Sequence, residues 1–246
     1  SLTYPSTAKQ LNLAKVLKAE LDKMHIESYI DEYGLVYAKL DGDDNKEKIG
    51  LIAHMDTSPS LQGGNFEPRI INNYDGKDII LNDTYTLSVN DFPSLKSKKG
   101  KTLIVTDGEH LLGGDDKAGI SIIMSVLEYF VSHPEIKHHP IRVCFTPDEE
   151  IGAGADHFST EKMDADFAYT IDGGSEEEIS YENFNASAAH VEIEGVGIHP
   201  GDAKGKMVNA ALLAIEFNNL LPSLQIPSLT EGYEGFIHLC SFNGDV

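Results

Sequence analysis

Three stretches of the chain run an apolar strand directly into a residue that binds metal ions. They are Gly50-Leu51-Ile52-Ala53-His54-Met55-Asp56, Ile141-Arg142-Val143-Cys144-Phe145-Thr146-Pro147-Asp148-Glu149-Glu150, and Asp166-Phe167-Ala168-Tyr169-Thr170-Ile171-Asp172. Each puts a hard or borderline ligand at the C-terminal end of a buried strand. In open α/β sheets ligands collect at that edge, because the crevice there is walled by loops and helix N-termini. The threefold repetition constrains the fold more than any single match.

The remaining segments fit an α/β reading. Ser6-Thr7 precede an amphipathic run in which Leu11, Leu13, Val16, Leu17 and Leu21 recur at helical spacing, so a capped helix is expected to about Met24. Strands are expected near 26–30 and 35–40, followed by a polar turn at 41–46. Residues 57–100 are polar, rich in Gly, Asn and Asp, and weakly periodic, which predicts a long functional excursion with a few short strands. A strand at 101–105 and a buried helix at 120–130 complete a strand-helix-strand-strand succession of βαβ type. After Glu182 the character changes. Residues 188–195 alternate apolar and polar, 207–221 read as an amphipathic helix, and 235–242 as one more strand, so a smaller α+β unit is expected to begin near 183.

Composition narrows the function. Forty acidic against 19 basic residues give a formal charge of −21, which argues against nucleic acid or an anionic membrane as partner, since both need a basic face. Bound divalent cations would neutralise part of that excess. Cys144 and Cys240 both lie in apolar runs, so no disulfide framework is indicated and a reducing, cytoplasmic setting is expected. No apolar run approaches the length of a membrane span.

Residues two apart on a strand face the same side, so His54 and Asp56 converge. The carboxylate then holds the ring nitrogen opposite a metal and fixes the tautomer. Read alone, such a pair is an ordinary surface pair. Gly113-Gly114-Asp115-Asp116-Lys117-Ala118-Gly119 sets two acids at the mouth of a buried helix, where a helix cap needs only one. One of the two is then free to bridge two cations. A phosphate loop is excluded by the absence of a Gly-Lys-Ser/Thr ending. In Asp148-Glu149-Glu150 one glutamate can ligate while the other stays free as a general base, and Asp172 adds one more oxygen ligand. With nitrogen and oxygen donors, no thiolate and no Gly-x-Ser-x-Gly elbow, the set points to a hydrolase with a two-metal centre.

These stretches, together with Ala53-His54-Met55-Asp56-Thr57-Ser58-Pro59, Tyr181-Glu182-Asn183-Phe184-Asn185-Ala186 and Thr230-Glu231-Gly232-Tyr233-Glu234-Gly235-Phe236, resemble the cocatalytic-zinc metallopeptidases related to carboxypeptidase G and succinyl-diaminopimelate desuccinylase. The last two stretches resemble the tripeptide aminopeptidase branch. The resemblance implies a catalytic domain with a central mixed sheet flanked by helices over 1–183, lacking its N-terminal start and C-terminal part. It also implies an incomplete α+β lid and dimerisation domain over 184–246. His54 and Asp172 would hold one zinc, Glu150 the other, and Asp115 would bridge both, with Asp116 following through an unusual, often cis, peptide bond. Asp56 would orient His54, and Glu149 would act as general base. His199, which without the resemblance reads as an exposed turn residue before Pro200, would reach a partner subunit's site to steady an oxyanion.

The same resemblance implies hydrolysis of small peptides, tripeptides above all, by a homodimer using two zinc ions, with Co or Mn as substitutes. One ligand is missing: relatives use a further histidine from a later segment, and none of His25, His110, His133, His138, His139, His157, His190 or His238 stands in a matching context. The chain is therefore expected to be a piece of a longer protein, with its second zinc weakened. A dipeptidase, an N-acyl amino acid deacylase and an inactive fragment are the alternatives.

Overall fold

Every residue of the strand Ile141–Thr146 is buried, and the architecture is built around it. The computed structural model describes residues 3–61, 63–64, 66–174 and 177–244, in two compact units, Ser1–Ser180 and Tyr181–Val246.

In chain order the first unit comprises α1 (Lys9–Lys23), β1 (Glu27–Ile30), β2 (Val36–Leu40), β3 (Ile49–His54), β4 (Arg69–Ile71), β5 (Ile79–Ile80), β6 (Thr86–Leu87), β7 (Leu103–Val105), α2 (Gly114–Ser132), β8 (Ile141–Thr146), α3 (Thr160–Met163) and β9 (Phe167–Thr170). Five strands form one mixed sheet in the order β1-β2-β8-β3-β9. β8 pairs antiparallel with β2 and parallel with β3, which pairs parallel with β9. The register sets His54 opposite Thr146 and Ile52 opposite Thr170. The three strand ends singled out in the sequence are therefore neighbours at one edge.

Alternation across β8 divides the core between two faces. Val143 and Phe145 join Ala14, Leu17 and Leu21 of α1 and Ile120, Ile123 and Leu127 of α2. On the other face Cys144 packs with Leu35, Tyr37 and Met163 of α3. The excursion after β3 has its own small cluster, Tyr74, Ile79 and Val105, under two two-stranded sheets, β4-β7 and β5-β6. The strand expected at 101–105 is thus β7, outside the central sheet. Among the described residues no helix is long and apolar enough to cross a membrane.

Two local expectations are corrected. Ser6-Thr7 do not cap α1, whose N-cap position is Ala8 with no side-chain bond; the Ser6 hydroxyl is committed to Asp148 instead. In the second unit the expected helix is present as α4 (Ala210–Leu220), capped by Asn209 accepting from Leu212 N at 2.9 Å. The strands expected at 188–195 and 235–242 are not formed. An alternating run supplies one apolar face, but its N–H and C=O groups need a neighbour in register. Among the described residues of this unit the ladder is limited to an antiparallel bridge between Val196 and Val208.

Candidate metal centre

The site is built from the exits of β3, β8 and β9 and the mouth of α2. His54, the last residue of β3, is only 2% exposed. Its Nε2 lies 2.9 Å from Asp115 Oδ1 and 3.8 Å from both Glu149 Oε2 and Asp172 Oδ2. Its buried Nδ1 has no hydrogen-bond partner but lies 3.3 Å from Asp56 Oδ1. One ring nitrogen thus faces a cluster of acids, and the other faces a single carboxylate that can orient it.

Asp56 also joins two strand exits. Its Oδ1 accepts from Glu149 N at 3.1 Å and its Oδ2 from Glu150 N at 3.0 Å. Burial alone would raise its pKa, but the adjoining His54 ring and the bonds from these two backbone groups outweigh burial and hold it below the usual carboxylate range.

The adjacent acids of α2 divide their work. The peptide bond between Asp115 and Asp116 is cis, and neither residue has helical backbone angles. Asp116 is buried and serves as the cap: its Oδ1 accepts from Gly119 N at 3.0 Å, and its Oδ2 accepts from His54 N at 3.1 Å. Burial raises its pKa despite those bonds. Asp115, whose side chain is 70% exposed, is left facing His54. Gly119 permits this closeness, because a Cβ there would lie 2.0 Å from Ile171 O and 2.4 Å from Asp116 Oδ1. Lys117 donates to the carbonyl oxygens of Met55 and Asp56 at 2.7 and 2.9 Å. Burial lowers its pKa against the pull of the surrounding acids.

The electrostatics are those of crowded like charges around one imidazole. Asp172 has a pKa raised to about 6, by burial first and then by Asp116 and Asp115. Burial disfavours the charged ring of His54, yet the adjoining carboxylates of Asp56 and Asp115 overcome it and raise its pKa to about 9. An orphaned buried imidazole nitrogen beside one acid, with the other nitrogen aimed at several, suits a borderline divalent cation bound by N and O donors. Two groups of side chains bring ligand atoms within 4.8 Å of one another: His54 with Asp115 and Glu150, and His54 with Asp116 and Asp172.

Of the residues singled out in the sequence, His54, Asp56, Asp115, Glu149, Glu150 and Asp172 therefore lie together. Asp148 does not join them, since its carboxylate turns to Ser6 and Gln10. Lys117 and Gly119 also serve the site from the Asp-Asp-Lys-Ala-Gly run, the one by holding the β3 exit and the other by leaving room beside Asp116. His199 belongs to the second unit. It is exposed, and its Nδ1 accepts from Gly201 N at 3.1 Å, which leaves Nε2 to carry the proton in the neutral ring.

A profile described as a peptidase dimerisation domain matches residues 181–245. Peptidase T of Clostridium perfringens (strain 13 / Type A) is 55% identical over 245 residues, covering 98% of this chain and 60% of that protein. Peptidase T of Macrococcus caseolyticus (strain JCSC5402) is 52% identical over 248 residues, covering 100% of this chain and 61% of the relative. The chain thus spans about three fifths of the length of the curated relatives it matches. In fold it is similar to the crystal structure of aminopeptidase PepT from Bacillus cereus ATCC 10987, with a TM-score of 0.56 at 23% identity over 85% of this chain and 50% of that one. With more than half of its positions identical to these relatives along nearly its whole length, the chain is similar in sequence to peptidase T.

Proposed function

We propose that the protein carrying this chain is a metal-dependent aminopeptidase that removes the N-terminal residue of unblocked tripeptides, acting in the cytoplasm as a homodimer formed through residues 184–246. The observation that carries the reading is the buried His54, with Nε2 2.9 Å from Asp115 and 3.8 Å from Glu149 and Asp172 at the mouth of three neighbouring strands. The family relatives' name, peptidase T, and the dimerisation profile support the same reading.

In this reading His54 and Asp172 would hold one zinc, Glu150 would hold the other, and Asp115 would serve both, with Co or Mn as substitutes. Such cations, when bound, would supply Lewis acidity toward the scissile carbonyl and a lowered pKa for water. Asp56 keeps the His54 proton on Nδ1, so that Nε2 presents its lone pair. Glu149, half exposed beside the site, takes the proton from the attacking water and hands it to the leaving amine. The Nε2–H of His199 donates to the developing oxyanion, in the site of a partner subunit.

Replacing Glu149 tests the core of this. In the full-length protein Glu149→Ala is expected to cut kcat by about 10²- to 10⁴-fold, with zinc content by elemental analysis unchanged. Near-parental turnover would sink the assigned base. A panel of free and N-acylated di- and tripeptides separates the tripeptidase from a dipeptidase or a deacylase.

A further inference from the structure

We propose that Asp148 is a positioning residue that fixes Glu149 and Glu150 from behind, with Gln10 and Ser6 as its partners. This rests on the metallopeptidase reading and adds to it a second support for the glutamate pair. Asp148 is 1% exposed, which for a carboxylate demands full hydrogen bonding. Ser6 N donates to its Oδ2 at 2.6 Å, the Ser6 hydroxyl donates to Oδ1, and Gln10 Nε2 donates to Oδ1 at 2.7 Å. The pairing with Gln10 is reciprocal, because Asp148 N donates to Gln10 Oε1 at 3.1 Å. These contacts join α1 and the segment before it to a residue about 140 positions away in sequence.

The backbone shows what the contacts are for. Asp148 has φ 60° and ψ 28°, a left-handed conformation that side chains other than glycine seldom adopt without compensation. That turn swings the chain off the end of β8, so that the next two N–H groups point at the two oxygens of Asp56. Ala153 N donates to Asp148 O at 2.9 Å and closes the turn behind it. The Glu149-Glu150 pair is thus gripped from both sides: Asp56 holds its amides, and Gln10 and Ser6 hold the residue that aims them. A bracing role alone would need neither the reciprocal bond to the Asp148 amide nor the left-handed turn immediately before the two glutamates.

The test uses the full-length protein and cobalt(II). Asp148→Asn is expected to weaken cobalt binding and to lower kcat by about 10- to 100-fold each, with KM little changed and the visible cobalt spectrum altered. Gln10→Glu alone sets two carboxylates face to face and should do the same. The double variant Asp148→Asn/Gln10→Glu exchanges the amide and the carboxylate across the same contact, and is expected to return affinity and spectrum close to parental. Parental cobalt binding and kcat in the single variants, with only a lower Tm, overturns the proposal. So does a double variant that regains Tm without regaining affinity. Should Asp148→Asn fail to fold, Ser6→Ala decides by the same readouts: about fivefold weaker cobalt binding supports the proposal, and parental binding overturns it. Cobalt is titrated without substrate, so a protein that binds it yet cleaves no tripeptide refutes the aminopeptidase reading while the titration still decides the role of Asp148.

Discussion

Metal binding to this site is expected to release protons in an amount set by the crowding around His54. The metal-free ring has a pKa of about 9, so at pH 7 it is about 99% protonated, while Asp172, with a pKa of about 6, holds about 0.1 proton. A cation coordinated by both must displace about 1.1 protons at pH 7, and about 1.8 at pH 5.5, where Asp172 is mostly protonated. Apparent affinity should therefore rise about tenfold per pH unit between 6.5 and 8.5, and more steeply below 6. Calorimetric titration of the metal-free protein with zinc, in buffers of differing ionisation enthalpy, reads the proton count directly. Asp56→Asn removes the carboxylate that most favours the charged ring, and should reduce the release at pH 7.5. A release near zero at pH 7, with affinity flat to pH 8.5, would mean that the metal-free imidazole is neutral. The charge balance argued for the site would then be wrong.

Two further outcomes follow from the same geometry. Gly119→Ala forces a Cβ against Ile171 O and Asp116 Oδ1; it is expected to cost about 1–3 kcal/mol, measured as a lower denaturant midpoint, together with weaker metal binding as Asp172 is pushed away. Metal-free protein is expected to lose stability as pH rises. His54 and Asp172 both bind protons more tightly folded than unfolded, so their contributions are fully present below the unfolded pKa values and are lost as pH rises through about 6 for Asp172 and about 9 for His54. Thermal melts of chelated protein from pH 6.5 to 9 should show a falling Tm, and a flat profile would contradict the raised His54.

What the sequence made legible was the pattern that strand period and residue type carry locally. His54, Glu150 and Asp172 could be recognised at strand ends because apolar runs lead into them, and the parallel pairing of β8, β3 and β9 then brings those ends together. Partner choice was not legible. Ser6 looked like a cap, yet its acceptor lies 142 residues away, a pairing that no local spacing encodes. Local spacing does not distinguish Asp115 from Asp116, which only the resemblance separated; in the structure the backbone at the mouth of α2 turns Asp116 inward as the cap and leaves Asp115 exposed. The alternating runs at 188–195 and 235–242 have strand periodicity, but a strand exists only when a second one satisfies its backbone, and that is a property of the pair.

The commitment of Asp56, Asp116 and Asp148 to backbone amides decides which of the site's carboxylates keep free oxygens. Seven acids crowd this edge of the sheet, but these three have oxygens already engaged. Asp115, Glu149, Glu150 and Asp172 are the four whose oxygens stay free for what enters. In the proposed reading, an edge with four free carboxylates attracts a protonated amine as well as a cation, which suits a peptide whose N-terminus is unblocked.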